Sequence, residues 1–255
     1  GETTIIHLSR LIALERRLDN VANNVANADT TGFRARQLSF QEYLSPAKEG
    51  EADGKRERPV SLVNAGFQYP DVSGGAIQLT GNPLDVAIVG DGYFAVQTPQ
   101  GERYTRAGAL TTDATGRLVT MEGQPILSRT GPITIAPEER SLTIAADGTI
   151  SSRQRILGSL RLVRFDGPLQ AVGSNLFQSQ TPALDIPTGS VKLSVGALEK
   201  SNVQNVQEMS RLSEVTRSYE QVGGLLKNSQ GVDDLNKLGT DHDSIVRAIR
   251  CLDPR

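Results

Sequence analysis

Few residues of this chain have types and spacings that could do chemistry. Gly90-Asp91-Gly92-Tyr93-Phe94-Ala95 fits G-x-G-x-x-A and follows an apolar, strand-like run, which is how a dinucleotide site begins. In such a site the glycines let the backbone approach a pyrophosphate, which then rests on the N-terminus of the next helix. Here Val96-Gln97-Thr98-Pro99 continues a strand and ends in proline, so the helix that would bind the anion is not predicted. A dinucleotide-binding oxidoreductase is therefore kept only as the alternative from another class. No nucleophile elbow, metalloprotease helix or phosphate-cradling loop occurs. His7 and His242 stand near opposite ends of the chain, and both are read as structural. The single cysteine, Cys251, excludes an internal disulfide and a cysteine-based zinc site. Asp85, Asp91, Asp113 and Asp147 fall at or beside predicted turns, where aspartate bonds local backbone. No catalytic, cofactor-binding or metal-binding residue is assigned, and the chain reads as a non-enzyme.

Composition points the same way. With 255 residues the chain could hold one core or two, and 37% hydrophobic content without tryptophan is low for a compact enzyme. Its 25 glycines and 12 prolines suit an elongated protein with many turns. A formal charge of −2 lends no electrostatic support to a nucleic-acid or acidic-membrane partner. No run approaches the ~20 apolar residues needed to span a bilayer. The first residues lack the basic region, apolar core and small-residue cleavage site of a secretory signal. A soluble protein is expected, one that leaves the cytoplasm, if it does, by another route.

The elements that would position any working surface begin with residues 8–33. Leu11, Leu14, Leu18, Val21, Val25 and Ala28 alternate three and four apart, the seam of a coiled coil. Asn20, Asn23, Asn24 and Asn27 crowd the last two turns, where buried amides can fix register. Gly32 is expected to end the helix in the left-handed conformation, with Phe33 as the hydrophobic contact after the cap. Residues 36–75 read as an extended connector, with an exposed, charged loop at 48–59. From Ala76 the period changes to that of strands. Asp113-Ala114-Thr115-Gly116 and Asp147-Gly148 are hairpin signals, and turns recur without an amphipathic helix between them. An antiparallel β domain is predicted over 76–195. Over 196–255 the helical period returns, with Leu212, Val215, Tyr219, Val222 and Leu226 as a second seam, although Gly223-Gly224 interrupts it. The predicted fold is α+β: a helix over 1–35 pairing with the C-terminal helix as a coiled coil, and the β domain projecting from them.

Several of these stretches also carry a resemblance. Asn23-Asn24-Val25-Ala26-Asn27-Ala28-Asp29-Thr30-Thr31-Gly32-Phe33 resembles the N-terminal signature of the axial proteins of the bacterial flagellum, the rod and hook subunits. Residues 84–96 (LDVAIVGDGYFAV) and 104–127 (YTRAGALTTDATGRLVTMEGQPIL) are similar to that family's β-domain core. Residues 201–220 (SNVQNVQEMSRLSEVTRSYE) are similar to its C-terminal helix. The short β body without large inserted domains looks like a rod protein rather than a hook subunit, and the opening LSRLIALERRLDNVANNVANADTTGFR with the charged loop at 48–58 most resembles the proximal type, with the distal rod or hook type as the alternative.

The resemblance implies a structural subunit that assembles helically with its own copies and other rod proteins to transmit torque across the periplasm. It implies export through the flagellar type III apparatus without a cleaved signal. The candidate assembly interface is then Leu11, Leu14, Leu18, Val21, Asn24, Val25 and Asn27 with Leu212, Val215, Tyr219, Val222 and Leu226. Phe40 and Leu44, in Phe-x-x-x-apolar spacing, are the candidate element for the export gate. No cofactor, nucleic acid or membrane insertion is implied. A secreted adhesive or scaffold of the same architecture is a third reading, separated from the first by the export route.

Overall fold

A computed structural model describes residues 2–45, 60–137, 139, 141–153 and 155–229. The charged loop, the tail with His242 and Cys251, and the side chains of Phe40 and Leu44 lie outside the described residues. The chain divides into two compact units, one of residues 20–38 with 67–209, the other of described residues from 1–19, 39–66 and 210 onward.

Helix α1 (Glu2–Ala26) opens the chain, and β1 (Arg36–Ser45) and β2 (Val60–Pro70) pair with each other within the stretch expected to be a connector. The body then runs through β3 (Ile77–Leu79), β4 (Val86–Val89), β5 (Tyr93–Thr98), β6 (Gly101–Thr105), β7 (Leu110–Thr112), β8 (Leu118–Thr120) and β9 (Leu127–Ser128). It continues with β10 (Gly131–Pro132), β11 (Thr143–Ile144), β12 (Thr149–Ser151), β13 (Ile156–Ser159), β14 (Leu162–Arg164), β15 (Leu169–Ala171) and β16 (Phe177–Ser179). Strands β17 (Leu184–Asp185), β18 (Lys192–Val195) and β19 (Ala197–Glu199) complete it, and α2 (Asn205–Ser229) follows.

The main sheet of the body has the order β15-β16-β6-β5-β14-β17, and its pairings are antiparallel. Side chains alternate across it with period two. Phe94 and Val96 of β5 and Leu162 of β14 enter the main core with Val86, Ile88, Leu118 and Ile126. Their neighbours Tyr93 and Val163 point the other way, into a smaller cluster with Leu169 and Phe177. Tyr93 meets Phe177 edge-on at 5.7 Å and Phe165 at 6.0 Å, so the second face is covered largely by aromatic contacts. The Asp113 signal is a hairpin between β7 and β8, with Asp113 Oδ1 accepting from the Thr115 and Arg117 backbone amides at 2.9 Å. Finally β18 pairs with β4 and β19 with β3, which returns the end of the body to its beginning. That return positions the site described below.

Helices do stand at both ends of a β body, but the coiled-coil pairing expected between them is not found. Among the described residues no continuous seam runs between α1 and α2. Leu11, Leu14, Leu18 and Val25 are only half-buried, while α1 buries Ala13, Asn20, Val21 and Asn24. The three-four spacing identified which apolar residues share a face, yet α1 turns a different stripe inward because Asn20 and Asn24 are held by the backbone of Arg36. On α2 the expected positions are the covered ones: Val215 and Leu226 are buried, and Leu212, Tyr219 and Val222 are partly so.

Gly223-Gly224 does not break α2, which runs through both. A Cβ added at either glycine would meet nothing within 4 Å. Gly223→Ala and Gly224→Ala are therefore expected to stabilise the helix by about 0.5–1 kcal/mol each, read as a higher midpoint in thermal unfolding. A lower midpoint would mean that the pair serves a bend or a close contact.

Candidate assembly site

The Asn-rich end of α1 is where the chain's two ends are tied to the β body. Asn24 Nδ2 donates to the Arg36 carbonyl (3.0 Å) and to Glu208 Oε2 of α2 (3.2 Å), and Asn24 Oδ1 accepts from the Arg36 amide (2.8 Å). Asn20 Nδ2 donates to the same Arg36 carbonyl at 2.9 Å. Asparagine is a middling helix former, and here two of the four spend their amides on a chain segment that has already left the helix. Asn27 instead donates back to the Asn23 carbonyl at 2.8 Å and accepts from Thr30 at 3.1 Å, closing the last turn.

Gly32 then turns the chain at φ +65°, and its amide donates to the Glu199 carbonyl at 2.7 Å. Phe33 is buried after it, as the cap predicts. Asn202, just beyond β19, clamps the segment from the other side. Its Oδ1 accepts from the Ala35 amide (2.6 Å), and its Nδ2 donates to the carbonyls of Asp71 (3.1 Å) and Ser73 (2.9 Å).

Beneath this lies a buried charge cluster. Glu199 is 1% exposed and takes two guanidiniums, Arg34 at 2.7 Å on Oε1 and Arg106 at 2.6 Å on Oε2. Its Oε1 also accepts from the Gly75 amide at 2.9 Å. Arg34 donates to the Ser73 carbonyl as well. Arg106 donates to the carbonyls of Ile88 (3.0 Å), Gly90 (2.9 Å) and Gly92 (2.6 Å), and its guanidinium stands 5.9 Å from the Tyr93 ring centre. Burial pulls the Arg34 guanidinium below the ordinary arginine range, with Glu199 opposing the shift, and burial pushes the Tyr93 phenol up. The cluster joins the segment after α1, the segment after β6 and strand β19. Held in this way, it can brace structure; it contains no nucleophile paired with a base.

The glycine loop that spaced like a dinucleotide site is thereby explained. A phosphate cradle aims backbone N–H groups inward, whereas this loop aims the Gly90 and Gly92 carbonyls at a cation. Strand β5 follows it, with no helix N-terminus to receive an anion. A cavity of about 610 Å³ opens beside the cluster, lined by Arg34, Arg106 and Glu199 together with Tyr93, Phe165 and Leu169.

Of the candidate interface residues, Asn24 is brought to Arg36 and Glu208, Asn27 stays within its own helix end, and Val21, Val215 and Leu226 are buried within the chain. Arg34, Arg106, Glu199 and Asn202 were not singled out by sequence reasoning. The one signal available was a set of isolated charges in otherwise apolar or small-residue surroundings, such as Glu199 in Gly196-Ala197-Leu198-Glu199.

Three family descriptions match the chain in order. Residues 6–34 match the flagella basal body rod protein family, residues 87–152 the flagellar hook protein FlgE/F/G D1 domain, and residues 194–234 the flagellar basal body rod FlgEFG protein C-terminal region. The first and last cover the tied ends and the middle one the β body, which defines the class as the axial proteins of the flagellar rod and hook. Among curated proteins, the flagellar basal-body rod protein FlgF of Mesorhizobium japonicum is 35% identical over 237 residues, covering 91% of this chain and 95% of its own. FlgF of Caulobacter vibrioides is 40% identical over 228 residues, 88% of this chain and 91% of its own. The rod protein FlgG of Bacillus subtilis is 30% identical over 248 residues, 88% and 94% respectively. The chain belongs to the flagellar basal-body rod proteins of the FlgF type, as a structural subunit of the proximal rod and not an enzyme.

Proposed function

We propose that neighbouring rod subunits meet on the apolar stripes that the two helices leave half-covered. Leu11, Leu14 and Leu18 of α1 and Leu212, Tyr219 and Val222 of α2 carry this contact. Val21, Asn24, Val215 and Leu226, already buried within the chain, keep the stripes in place, and Val25 and Asn27 extend the stripe on α1 toward the β body. The observation that carries the reading is the incomplete burial of six seam positions on two 25-residue helices. Large apolar side chains left half-exposed in register gain from a partner that removes them from water. Val206, Met209 and Leu225, at 82%, 51% and 53% exposure, add apolar surface on α2.

In the same reading the chain crosses the flagellar export apparatus unfolded, with Phe40 and Leu44 as the element the export gate recognises. It then folds onto the growing rod in the periplasm, where the rod transmits torque. The double variant Leu14→Asp, Tyr219→Asp tests the stripes in a flagellated strain that lacks its own copy. Basal bodies are expected to incorporate it at least roughly tenfold less than the parent chain, which corresponds to about 1.4 kcal/mol of lost contact. The circular dichroism of the purified chain should stay unchanged. Undiminished incorporation would overturn the assignment of these stripes.

A further inference from the structure

Residues 71–75 (Asp71-Val72-Ser73-Gly74-Gly75) lead from β2 to β3 as a short strap. The one large apolar side chain of the strap, Val72, is 71% exposed, and Ser73 and Gly74 are exposed beside it. Tyr69, Pro70, Val72, Gly74 and Gly75 make one wall of the cavity, so open space rather than packed core lies behind this stretch. Two successive glycines add to the freedom of the chain when it is not held.

What fastens the strap is polar and comes from elsewhere in the chain. The Asp71 amide donates to the Ala35 carbonyl at 2.7 Å, and the Gly75 amide donates to Glu199 Oε1 at 2.9 Å. The Ser73 carbonyl accepts from Arg34 and, at 2.9 Å, from Asn202 Nδ2. The same Nδ2 donates to the Asp71 carbonyl at 3.1 Å and to Ser73 Oγ at 3.2 Å. Few buried apolar contacts and exposed hydrogen bonds mark the segments of a protein that open first.

These fasteners also hold the segment that leaves α1. Arg34 belongs to that segment. Asn202 Oδ1 accepts from the Ala35 amide at 2.6 Å, and the Asn202 amide donates to the Phe33 carbonyl at 3.2 Å. One planar carboxamide therefore keeps its oxygen on the exit from α1 and its nitrogen on the strap. Releasing either side frees the group that positions the other, and segments that share a hydrogen-bond network in this way are energetically coupled.

We propose that the 71–75 strap is a catch for the end of α1. The two open and close together, with Asn202 as the shared clasp, while strands β5 and β6 stay folded. Only the closed form fixes the residues that leave α1, so the fraction closed sets how much of the chain is ready for a neighbour to pack on. That consequence rests on the rod-subunit reading; the catch itself does not.

Hydrogen exchange of the free full-length chain, followed by mass spectrometry, tests it. Peptides covering 27–38, 67–79 and 93–105 are compared in the parent chain and two variants. Asn202→Ala is expected to raise exchange in the first two by roughly tenfold or more and to leave the third unchanged. Gly74→Ala acts in the opposite direction. A Cβ at Gly74 would meet nothing within 4 Å, and its backbone is not left-handed, so alanine restricts the open strap without straining the closed one. Exchange is expected to slow about two- to fivefold in both 67–79 and 27–38. Slowing in 27–38 caused by a strap residue that touches nothing there reports the coupling itself. Slowing confined to 67–79 would overturn the proposal. So would a rise from Asn202→Ala confined to one of the two segments, or one that extends to 93–105. None of these outcomes bears on the rod reading, which the incorporation assay tests separately.

Discussion

Replacing Glu199 by Gln is expected to cost about 3–5 kcal/mol of stability, because it leaves two buried guanidiniums with no counter-charge. Arg34 and Arg106 are each 4% exposed, so water cannot take over the role of the carboxylate. The Arg106 bonds to the Ile88, Gly90 and Gly92 carbonyls would survive, but carbonyl dipoles alone do not neutralise a second positive charge. Urea unfolding followed through the fluorescence of the chain's five tyrosines would register the change as a lower midpoint. Asp185→Asn supplies the contrast. Asp185 pairs with Arg161 at 2.7 Å but is 49% exposed, and such pairs contribute only about 0–1 kcal/mol. Equal effects of the two substitutions would show that the Glu199 cluster is solvated in practice, and its bracing role would fall.

Gly32→Ala should be nearly as damaging, at about 2–4 kcal/mol, from two sources that add. At φ +65° an L-residue loses roughly 1–2 kcal/mol relative to glycine. The new Cβ would also stand 2.5 Å from the Arg106 carbonyl carbon and 2.6 Å from the Ala107 amide nitrogen. Both are backbone atoms, so relief requires moving the segment that holds Arg106, and with it the charge cluster. The midpoint of thermal unfolding reports the loss. An unchanged midpoint would mean that the helix end and the body are not in the tight contact described.

What could be read from the chain beforehand was local. The Gly32-Phe33 cap, the Asp113 hairpin and the period-two run over Phe94 and Val96 each depend on residues within a few positions, and all three are found. The pattern of α1 was legible only in part. A three-four repeat reveals which side chains share a face, and it is silent on whether a helix, a strand or a loop covers them. Asn20 and Asn24 turned that face toward Arg36, twelve and more residues away. The charge cluster was not legible at all. Arg106 and Glu199 are 93 positions apart and surrounded by no motif, so only the return of β18 and β19 beside β4 and β3 makes them neighbours. The glycine loop misdirects for a related reason: a G-x-G-x-x-A string specifies a tight turn, not whether its amides or its carbonyls face inward.

The knot around Asn24 also dictates an order of events in time. Asn24 and Glu208 are separated by 184 positions and Ala35 and Asn202 by 167, so these bonds close very long loops. Such closures are entropically costly until most other structure exists to hold the ends near each other. The β5–β6 and β7–β8 hairpins can zip as soon as their own residues are free. The opening helix has to wait for the stretch around Asn202 and Glu208 before it can lock. A chain that refolds from its fully unfolded state therefore finishes at its beginning, and its last and slowest kinetic phase should be the locking of α1.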